Sequence, residues 1–194
     1  MQDLPGYWDP LPHVDAVFAE LPERDLRPTP EHVFCGMWEE RNWRNVPGPF
    51  YGAMTDNCWV GRDSAPRHIL YGDDIEYESE FLYRQPKNGA ELRDVLAGMR
   101  DDPWSGWARD GDTYWTPALV RAWWHDRARL REWIERKHRE WTSGGHSDNA
   151  PEAAAGLNDY LHYIDTGLAH DLRCYIAFLE TGHAPAAGEP LPAL

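Results

Sequence analysis

The stretch FYGAMTDNCWVGR, residues 50–62, decides how the first half of this chain is interpreted. Two short aromatic runs flank Asp56 and Asn57, a pair of residues that is well suited to a tight turn. We therefore predict a β-hairpin here, with the small side chain of Cys58 packed beside the turn. On either side, alternating polar and apolar residues predict further strands, so that residues 32–86 form an antiparallel meander of about four or five strands.

The second half of the chain has the periodicity of helices. Asn88 and Thr116 stand where N-cap residues are expected, each just before an apolar pattern of helical spacing. This spacing predicts three helices, at about 88–100, 117–141 and 157–181. Strands followed by helices are typical of the α+β class, and we expect the three helices to pack on the meander sheet.

The spacing of prolines and glycines predicts one main domain with two appendages. A chain of 194 residues with 42% apolar residues is long enough to form one well-filled core. We expect residues 1–30, which are rich in proline, to form an N-terminal arm, and residues 31–181 to form a single α+β domain. Within that domain, the glycine- and serine-containing segment 142–156 predicts a flexible linker, and residues 182–194 predict a disordered tail.

Composition narrows the class of protein. The formal net charge of −14 opposes binding to nucleic acid, and it permits high solubility, a basic protein partner or mimicry of a nucleic-acid surface. Nucleic-acid binding through Arg121, Arg127, Arg131 and Arg139 is a third interpretation, which the overall charge disfavours. The alternative is a solvated helix with ion pairs along it. Arginine supplies nearly all of the basic residues, which indicates a GC-rich genome such as that of an actinomycete.

Several features place the protein in the cytoplasm. The N-terminal residues lack the basic and apolar regions of a secretory signal, and no apolar run reaches the ~18 residues that a membrane span needs. The three cysteines, Cys35, Cys58 and Cys174, lie far apart and lack the spacing of metal ligands. This pattern is typical of free thiols in a reducing compartment, and we expect neither a membrane nor a cofactor.

Asp56, Cys58 and His68 are the candidate catalytic residues. Pairing of the two strands on which they lie could bring the imidazole to the thiol, with the carboxylate to orient it. A nucleophilic cysteine needs a base or a positive field to become a thiolate. The spacing of the three residues matches no catalytic motif, and a small thiol packed beside a turn is the simpler interpretation.

His170 and Cys174 are the candidate metal ligands. They are four residues apart in the last predicted helix and therefore lie on one face, as zinc ligands often do. A zinc site needs three or four ligands, and the sequence near this pair does not supply the rest. The alternative interpretation is a polar flank of the helix with a partly buried cysteine.

The acidic run DDIEYESE, residues 73–80, is the candidate docking surface for a basic partner. Its five acids are Asp73, Asp74, Glu76, Glu78 and Glu80, and no basic residue interrupts them. Alternation places Glu76, Glu78 and Glu80 on the solvent face of the expected sheet. Complementary charge at such a surface increases the rate and the selectivity of association. A solvated hairpin tip without a partner is the alternative interpretation.

The loop 101–115 is the candidate ligand pocket. Its aromatic and acidic side chains could line a site for a planar or sugar-like molecule, and they are Trp104, Trp107, Asp110, Asp112, Tyr114 and Trp115. The alternative is that these aromatic residues fill the core below the long helix.

Two functions follow from these observations. The first is an acidic binding or neutralising protein, of the immunity or regulatory kind, that acts through a protein partner. The second is a small-molecule enzyme or binder with an aromatic pocket between the 101–115 loop and the sheet. Because the sequence contains no complete catalytic signature, the first function is favoured, and the oligomeric state is left open.

Overall fold

The computed structural model describes residues 6–22, 29–56, 58–72, 80–143 and 150–194. Helix accounts for 54% of these residues and strand for 7%, so the α+β class is confirmed. The chain divides into two compact units, which we call the mixed unit (Asp9–Tyr114) and the helical unit (Met1–Trp8 with Trp115–Leu194). The arm, single domain, linker and tail that the sequence predicts stay predictions, and residues 1–5 and 23–28 of the arm and 144–149 of the linker lie outside the described residues.

The described residues of the mixed unit form short helices and four short strands. Its α-helices are α1 (Val14–Ala19), α2 (Pro30–Val33), α3 (Gly61–Ser64), α4 (Gly89–Arg100) and α5 (Gly111–Tyr114). Its strands are β1 (Tyr51–Gly52), β2 (Ile69–Tyr71), β3 (Glu80–Leu82) and β4 (Trp107–Ala108). Two 3-10 turns complete it, at Leu11–His13 and Trp38–Glu40.

The prediction of a four- or five-stranded meander is wrong. In the part of the chain that is described, each sheet has two strands, with β1 antiparallel to β4 and β2 antiparallel to β3. Residues 32–41, expected as a strand, instead contain the end of α2 and a 3-10 turn. The described residues of the expected hairpin in 50–62 do not pair with one another, because β1 pairs with the distant Trp107–Ala108 and α3 begins at Gly61. Asn57, the second residue of the expected turn, lies outside the described residues.

The side chain of Asn45 explains why β1 and β3 do not join into one ladder. Its Oδ1 accepts the backbone N–H of Gly52 at 2.9 Å and that of Leu82 at 2.8 Å. Its Nδ2 donates to the carbonyls of Asn42 and Gly52, both at 2.7 Å. The buried amide therefore satisfies the edges of both strands in place of a neighbouring strand.

Close backbone contacts in this region require glycine. A Cβ on Gly52 would lie 2.5 Å from the carbonyl oxygen of Glu80, and one on Gly106 would lie 2.1 Å from that of Met54. Both distances are far below van der Waals contact, so neither position can carry a side chain unless the backbone moves. These contacts bring β1, β3 and the chain before β4 together.

The helical unit contains α6 (Pro117–His125), α7 (Arg127–Thr142), α8 (Ala150–Thr166) and α9 (Leu168–Thr181). The prediction of three helices is wrong, because the two long ones are each divided, at Asp126 and at Gly167. α7 and α8 share the most extensive contact between described elements. The core of this unit contains Trp133 and Trp141 from α7 and Leu157 and Tyr160 from α8.

Part of the expected linker is helical. Residues 150–156 form the start of α8, where Ala153 and Ala154 are buried and the alanine-rich sequence favours a helix. Beyond α9, the carbonyls of Leu191, Pro192 and Ala193 accept hydrogen bonds from arginines of the helices. None of the helices described here combines the length and the apolar character that crossing a membrane requires.

Candidate functional site

The structure brings Asp56 and Cys58 together and gives His68 a different environment. The Cys58 side chain is exposed, and the nearby Asp56 carboxylate raises the pKa of its thiol. His68 is buried and donates from Nδ1 to the carbonyl of Arg84 at 2.9 Å, and burial lowers the pKa of its imidazole. A raised thiol pKa is the opposite of what a nucleophile needs, so this geometry does not favour a catalytic cysteine.

Three buried acids, Asp56, Glu80 and Asp102, form an acidic cluster in the mixed unit. Burial, together with the charges of Asp56 and Asp102, raises the pKa of Glu80 to about 8. Glu80 Oε1 accepts the backbone N–H of Gly61 at 3.0 Å, whereas Oε2 has no hydrogen-bond partner in the described part of the chain. The Glu80 side chain is therefore a protonated acid at neutral pH.

Asp102 organises the loop that leads to β4. Its Oδ1 accepts the backbone N–H groups of Asp56 at 3.2 Å and Trp104 at 3.0 Å, and its Oδ2 accepts that of Gly106 at 2.7 Å. Burial raises the pKa of Asp102, and these three hydrogen bonds act against that rise. Neither oxygen of Asp56 accepts a bond from a nitrogen or hydroxyl donor of the residues described.

Neither the acidic cluster nor the described part of the helical unit forms a metal centre. Among the described residues, no group of three His, Cys, Asp or Glu side chains is placed to hold a metal ion. His170 Nε2 and Cys174 Sγ do lie 3.5 Å apart on α9, as their spacing predicts. The neighbouring Asp171 accepts a hydrogen bond from the hydroxyl of Tyr163, and Cys174 is buried, so the pair is part of the packing of α9.

The candidate docking acids fall into two groups. Asp73, Asp74, Glu76 and Glu78 lie outside the described residues. Glu80 has no exposed surface, so the expectation that it lies on the solvent face is wrong. Its backbone is held between Thr55 and the β2 strand, where Thr55 Oγ1 accepts the N–H of Glu80 at 2.8 Å. The position is thus an interior one, and its side chain cannot contact a partner.

The residues of the candidate pocket are divided as well. Trp107 is buried in the mixed unit, and Trp115 is buried and belongs to the helical unit. Trp104 and Tyr114 are exposed by 57% and 39%. Asp110 is also exposed, and Asp112 is half-buried. The loop therefore supplies core residues and surface residues, and only the latter are available to a ligand.

Asp110 and Tyr114 take part in an arrangement that we call the aromatic surface, formed by Trp38, Arg41, Asp110 and Tyr114 together with Tyr51, which is itself buried. The rings of Trp38 and Tyr114 stack with centroids 4.9 Å apart and an interplanar angle of 12°. The edge of Tyr51 meets Trp38 at 5.5 Å, and the Tyr51 hydroxyl donates to Asp110 Oδ1 at 2.7 Å. The guanidinium carbon of Arg41 lies 3.8 Å from the centroid of Trp38.

Secondary structure accounts for the position of each member. The 3-10 turn Trp38–Glu40 carries Trp38, and Arg41 follows it as the C-cap residue. Tyr51 lies in β1 and pairs with Ala108 of β4. Asp110 follows Ala108 by two residues. The carbonyl of Asp110 accepts the N–H of Thr113, and this hydrogen bond forms the first turn of α5. Asp110 and Tyr114 are therefore one helical turn apart. Pairing of β1 with β4 thus assembles the surface.

The charge and exposure of this surface suit an interaction. Met37, which precedes Trp38, is 54% exposed. The side chains of Glu39 and Glu40 form no ion pair with any residue that the structure describes. Burial and the hydrogen bond to Asp110 raise the pKa of Tyr51, so its hydroxyl keeps its proton and acts as a donor. The result is an aromatic centre with acidic neighbours.

Sequence reasoning missed Met37, Trp38, Arg41 and Tyr51 because they were assigned to strands of the expected sheet. One signal was available, since the run MWEER, residues 37–41, places two large apolar side chains directly before three charged ones. In the structure Met37 is the exposed member of this apolar pair, and Trp38 is half-buried. No protein-family model, no curated protein and no solved structure matches this chain.

Proposed function

We propose that this chain is a binding protein that docks a basic protein partner through the aromatic surface and the adjacent Met37. The observation that carries the proposal is the stack of Trp38 on Tyr114, which leaves Tyr114 39% exposed beside an exposed methionine. Tryptophan, tyrosine, methionine and arginine are the residues enriched in the centres of protein interfaces. An exposed group of this kind marks an interaction site more often than a scattered single residue does.

Charge supports the choice of a basic partner. The chain has a formal net charge of −14, and the aromatic centre is flanked by the exposed carboxylates of Glu39 and Asp110. Complementary charge of this kind guides the encounter of two proteins and disfavours acidic competitors. The proposal includes no catalytic step, and the raised pKa of the Cys58 thiol agrees with a binding function.

Site-specific crosslinking tests this proposal. A photoreactive amino acid is placed at position 114 and, as a matched control, at position 119, because Leu119 is 45% exposed but lies in the helical unit. After irradiation in a lysate of the source organism, we expect one basic protein to be linked at position 114 and not at 119. The purified product should then bind the unmodified chain with an affinity that falls as salt is added.

Two results would contradict the proposal. One is equal labelling from both positions, which would indicate contact without a specific surface. The other is a linked protein whose binding is unchanged when Met37 and Tyr114 are both replaced by alanine. Loss of interface anchors of this type normally weakens binding by a factor of about ten or more.

Binding of a small molecule at the same surface is the second candidate. The hydrogen bond from Tyr51 to Asp110 beside an exposed tyrosine ring supports it, since polar groups of fixed orientation next to an aromatic face suit a planar or sugar-like ligand. A thermal-shift screen with a metabolite panel tests it. A ligand that stabilises the native chain but not the Tyr114→Ala variant would favour this function over the first.

A further inference from the structure

We infer that the aromatic surface contains a subsite for an arginine side chain of the partner, formed by the ring of Tyr114 and the carboxylate of Asp110. This inference rests on the proposed function and adds the chemical group that is recognised. It concerns arginine rather than basic residues in general, because a guanidinium can stack on a ring and pair with a carboxylate at the same time.

The first observation is that a guanidinium already binds these aromatic rings within the chain. The guanidinium carbon of Arg41 lies 3.8 Å from the centroid of Trp38, well inside the distance at which a cation is attracted to an aromatic face. Trp38 is in turn stacked on Tyr114. Tyr114 is 39% exposed. Its ring therefore offers a partner the same kind of aromatic face that Trp38 offers to Arg41.

The second observation is the position of the Asp110 carboxylate. Its Oδ1 accepts the hydroxyl of Tyr51 at 2.7 Å, which fixes the orientation of the carboxylate. Its Oδ2 has no partner among the residues that the structure describes, and the side chain is exposed. Because Asp110 and Tyr114 are separated by one turn of helix, a guanidinium stacked on the ring can donate to Oδ2.

The third observation is the surrounding charge. Glu39 and Glu40 follow Trp38 in the 3-10 turn. Neither forms an ion pair within the described part of the chain. These carboxylates attract arginine and lysine alike, so they do not select between them. Selection comes from shape, since an ammonium group is compact and strongly hydrated and cannot stack as a planar guanidinium does.

Two labelled peptides of equal length and charge test the inference on the full chain. One alternates glycine with arginine and the other alternates glycine with lysine, and binding is measured by fluorescence anisotropy at two salt concentrations. We expect the arginine peptide to bind about threefold to tenfold more tightly at the higher salt. We also expect Asp110→Asn and Tyr114→Ala to reduce this ratio to about one.

Asp63→Asn is the matched control, because Asp63 is an exposed acid of α3 in the same unit and its loss changes the net charge equally. Equal affinities of the two peptides for the native chain would overturn the inference. An Asp110→Asn variant that keeps the same ratio as Asp63→Asn would overturn it too. Crosslinking of a basic partner at position 114 together with equal peptide affinities would retain the proposed function and reject only the arginine subsite.

Discussion

The carboxylate of Glu80 accepts the backbone N–H of Gly61 at 3.0 Å in a position where no part of Glu80 is exposed to solvent. A Cβ on Gly61 would lie 2.5 Å from the second carboxylate oxygen of Glu80, so the acid fits closely against the start of α3. Asp56 and Asp102 act on it with like charge. The contact therefore links the protonation of one side chain to the stability of the mixed unit.

Glu80→Gln should change how stability depends on pH. The pKa of Glu80 is raised from 4.5 to about 8 on folding. The folded chain therefore holds the proton more tightly, and the free energy of unfolding falls as pH rises from about 4.5 to about 8. Below this pH range Glu80 does not make the free energy of unfolding depend on pH. Above it, the folded chain bears the full energetic cost of the ionised, buried carboxylate.

The Glu80→Gln variant lacks the pH-dependent contribution of Glu80 to the free energy of unfolding. Its amide oxygen can still accept the N–H of Gly61. Urea unfolding of both chains at several pH values measures this contribution. The stability of the variant relative to the native chain should increase by up to about 1.4 kcal/mol per pH unit within that pH range. Groups that do not interact with Glu80, such as His68, titrate equally in both chains, so the difference reports Glu80 and the neighbouring groups coupled to it. A difference that is constant with pH would show that folding does not raise the pKa of Glu80.

Asn45→Ala should destabilise the mixed unit strongly. The change leaves the N–H groups of Gly52 and Leu82 without their buried acceptor, whereas the carbonyls of Asn42 and Gly52 still accept backbone N–H groups. Unsatisfied buried groups each cost about 1–3 kcal/mol, so we expect a loss of about 3 kcal/mol or more in the free energy of unfolding.

Asn88→Ala provides the comparison for Asn45→Ala, because Asn88 is an exposed N-cap of α4 in the same unit. Its replacement should cost only about 1 kcal/mol. Chemical denaturation followed by tryptophan fluorescence measures both variants. Similar losses for the two would mean that the Asn45 amide does not connect the strands in solution.

Asp56→Asn should make Cys58 more reactive. The Asp56 carboxylate raises the pKa of the Cys58 thiol, so removing its charge increases the thiolate fraction at a given pH. In a Cys35→Ser background, where Cys58 is the exposed thiol and Cys174 is buried, the rate of alkylation by iodoacetamide should rise by a factor of about three to ten near pH 8. An unchanged pH profile of alkylation would remove Asp56 as the cause of the shift.

The role of the four acids that precede Glu80 stays a prediction. Reversing the charges of Asp73, Asp74, Glu76 and Glu78, with Glu80 kept, should weaken binding of a basic partner about tenfold at low salt. Stability should not fall. The control reverses four exposed acids of the helical unit, which are Glu132, Glu135, Glu152 and Asp159. Equal weakening by both variants would show that total charge, rather than this segment, governs the association.

Features that depend on neighbouring residues were predictable from sequence. Asn88 caps α4 by accepting the N–H of Ala90 and of Glu91, and Thr116 caps α6 by accepting that of Leu119. Gly182 ends α9 with a φ of 76°, as its position after the apolar pattern predicts. In each case donor and acceptor are at most four residues apart, so the local sequence contains the whole interaction.

Strand partners and the candidate site were not predictable in the same way. The alternation around Tyr51 is compatible with many partners, and its actual partner, Ala108, lies 57 residues further along the chain. The sequence of a strand this short contributes little to the stability or the specificity of its pairing. Contacts with residues distant in the sequence therefore decide which strand it pairs with. The wrong prediction that Glu80 is exposed has the same origin. Alternation of polar and apolar residues places the polar ones in solvent only if one face of the sheet is open to solvent.

The sequence by itself determined the positions of the helix caps, the acidic character of the chain and the α+β class. The tertiary structure alone decided that Asn45 connects two short sheets, that Glu80 is buried, and that Trp38, Tyr51, Asp110 and Tyr114 meet at one surface. The physical reason is the range of the interactions. Caps and helical stripes arise from residues within one or two turns, whereas buried polar contacts and the aromatic surface exist only after distant segments have packed together.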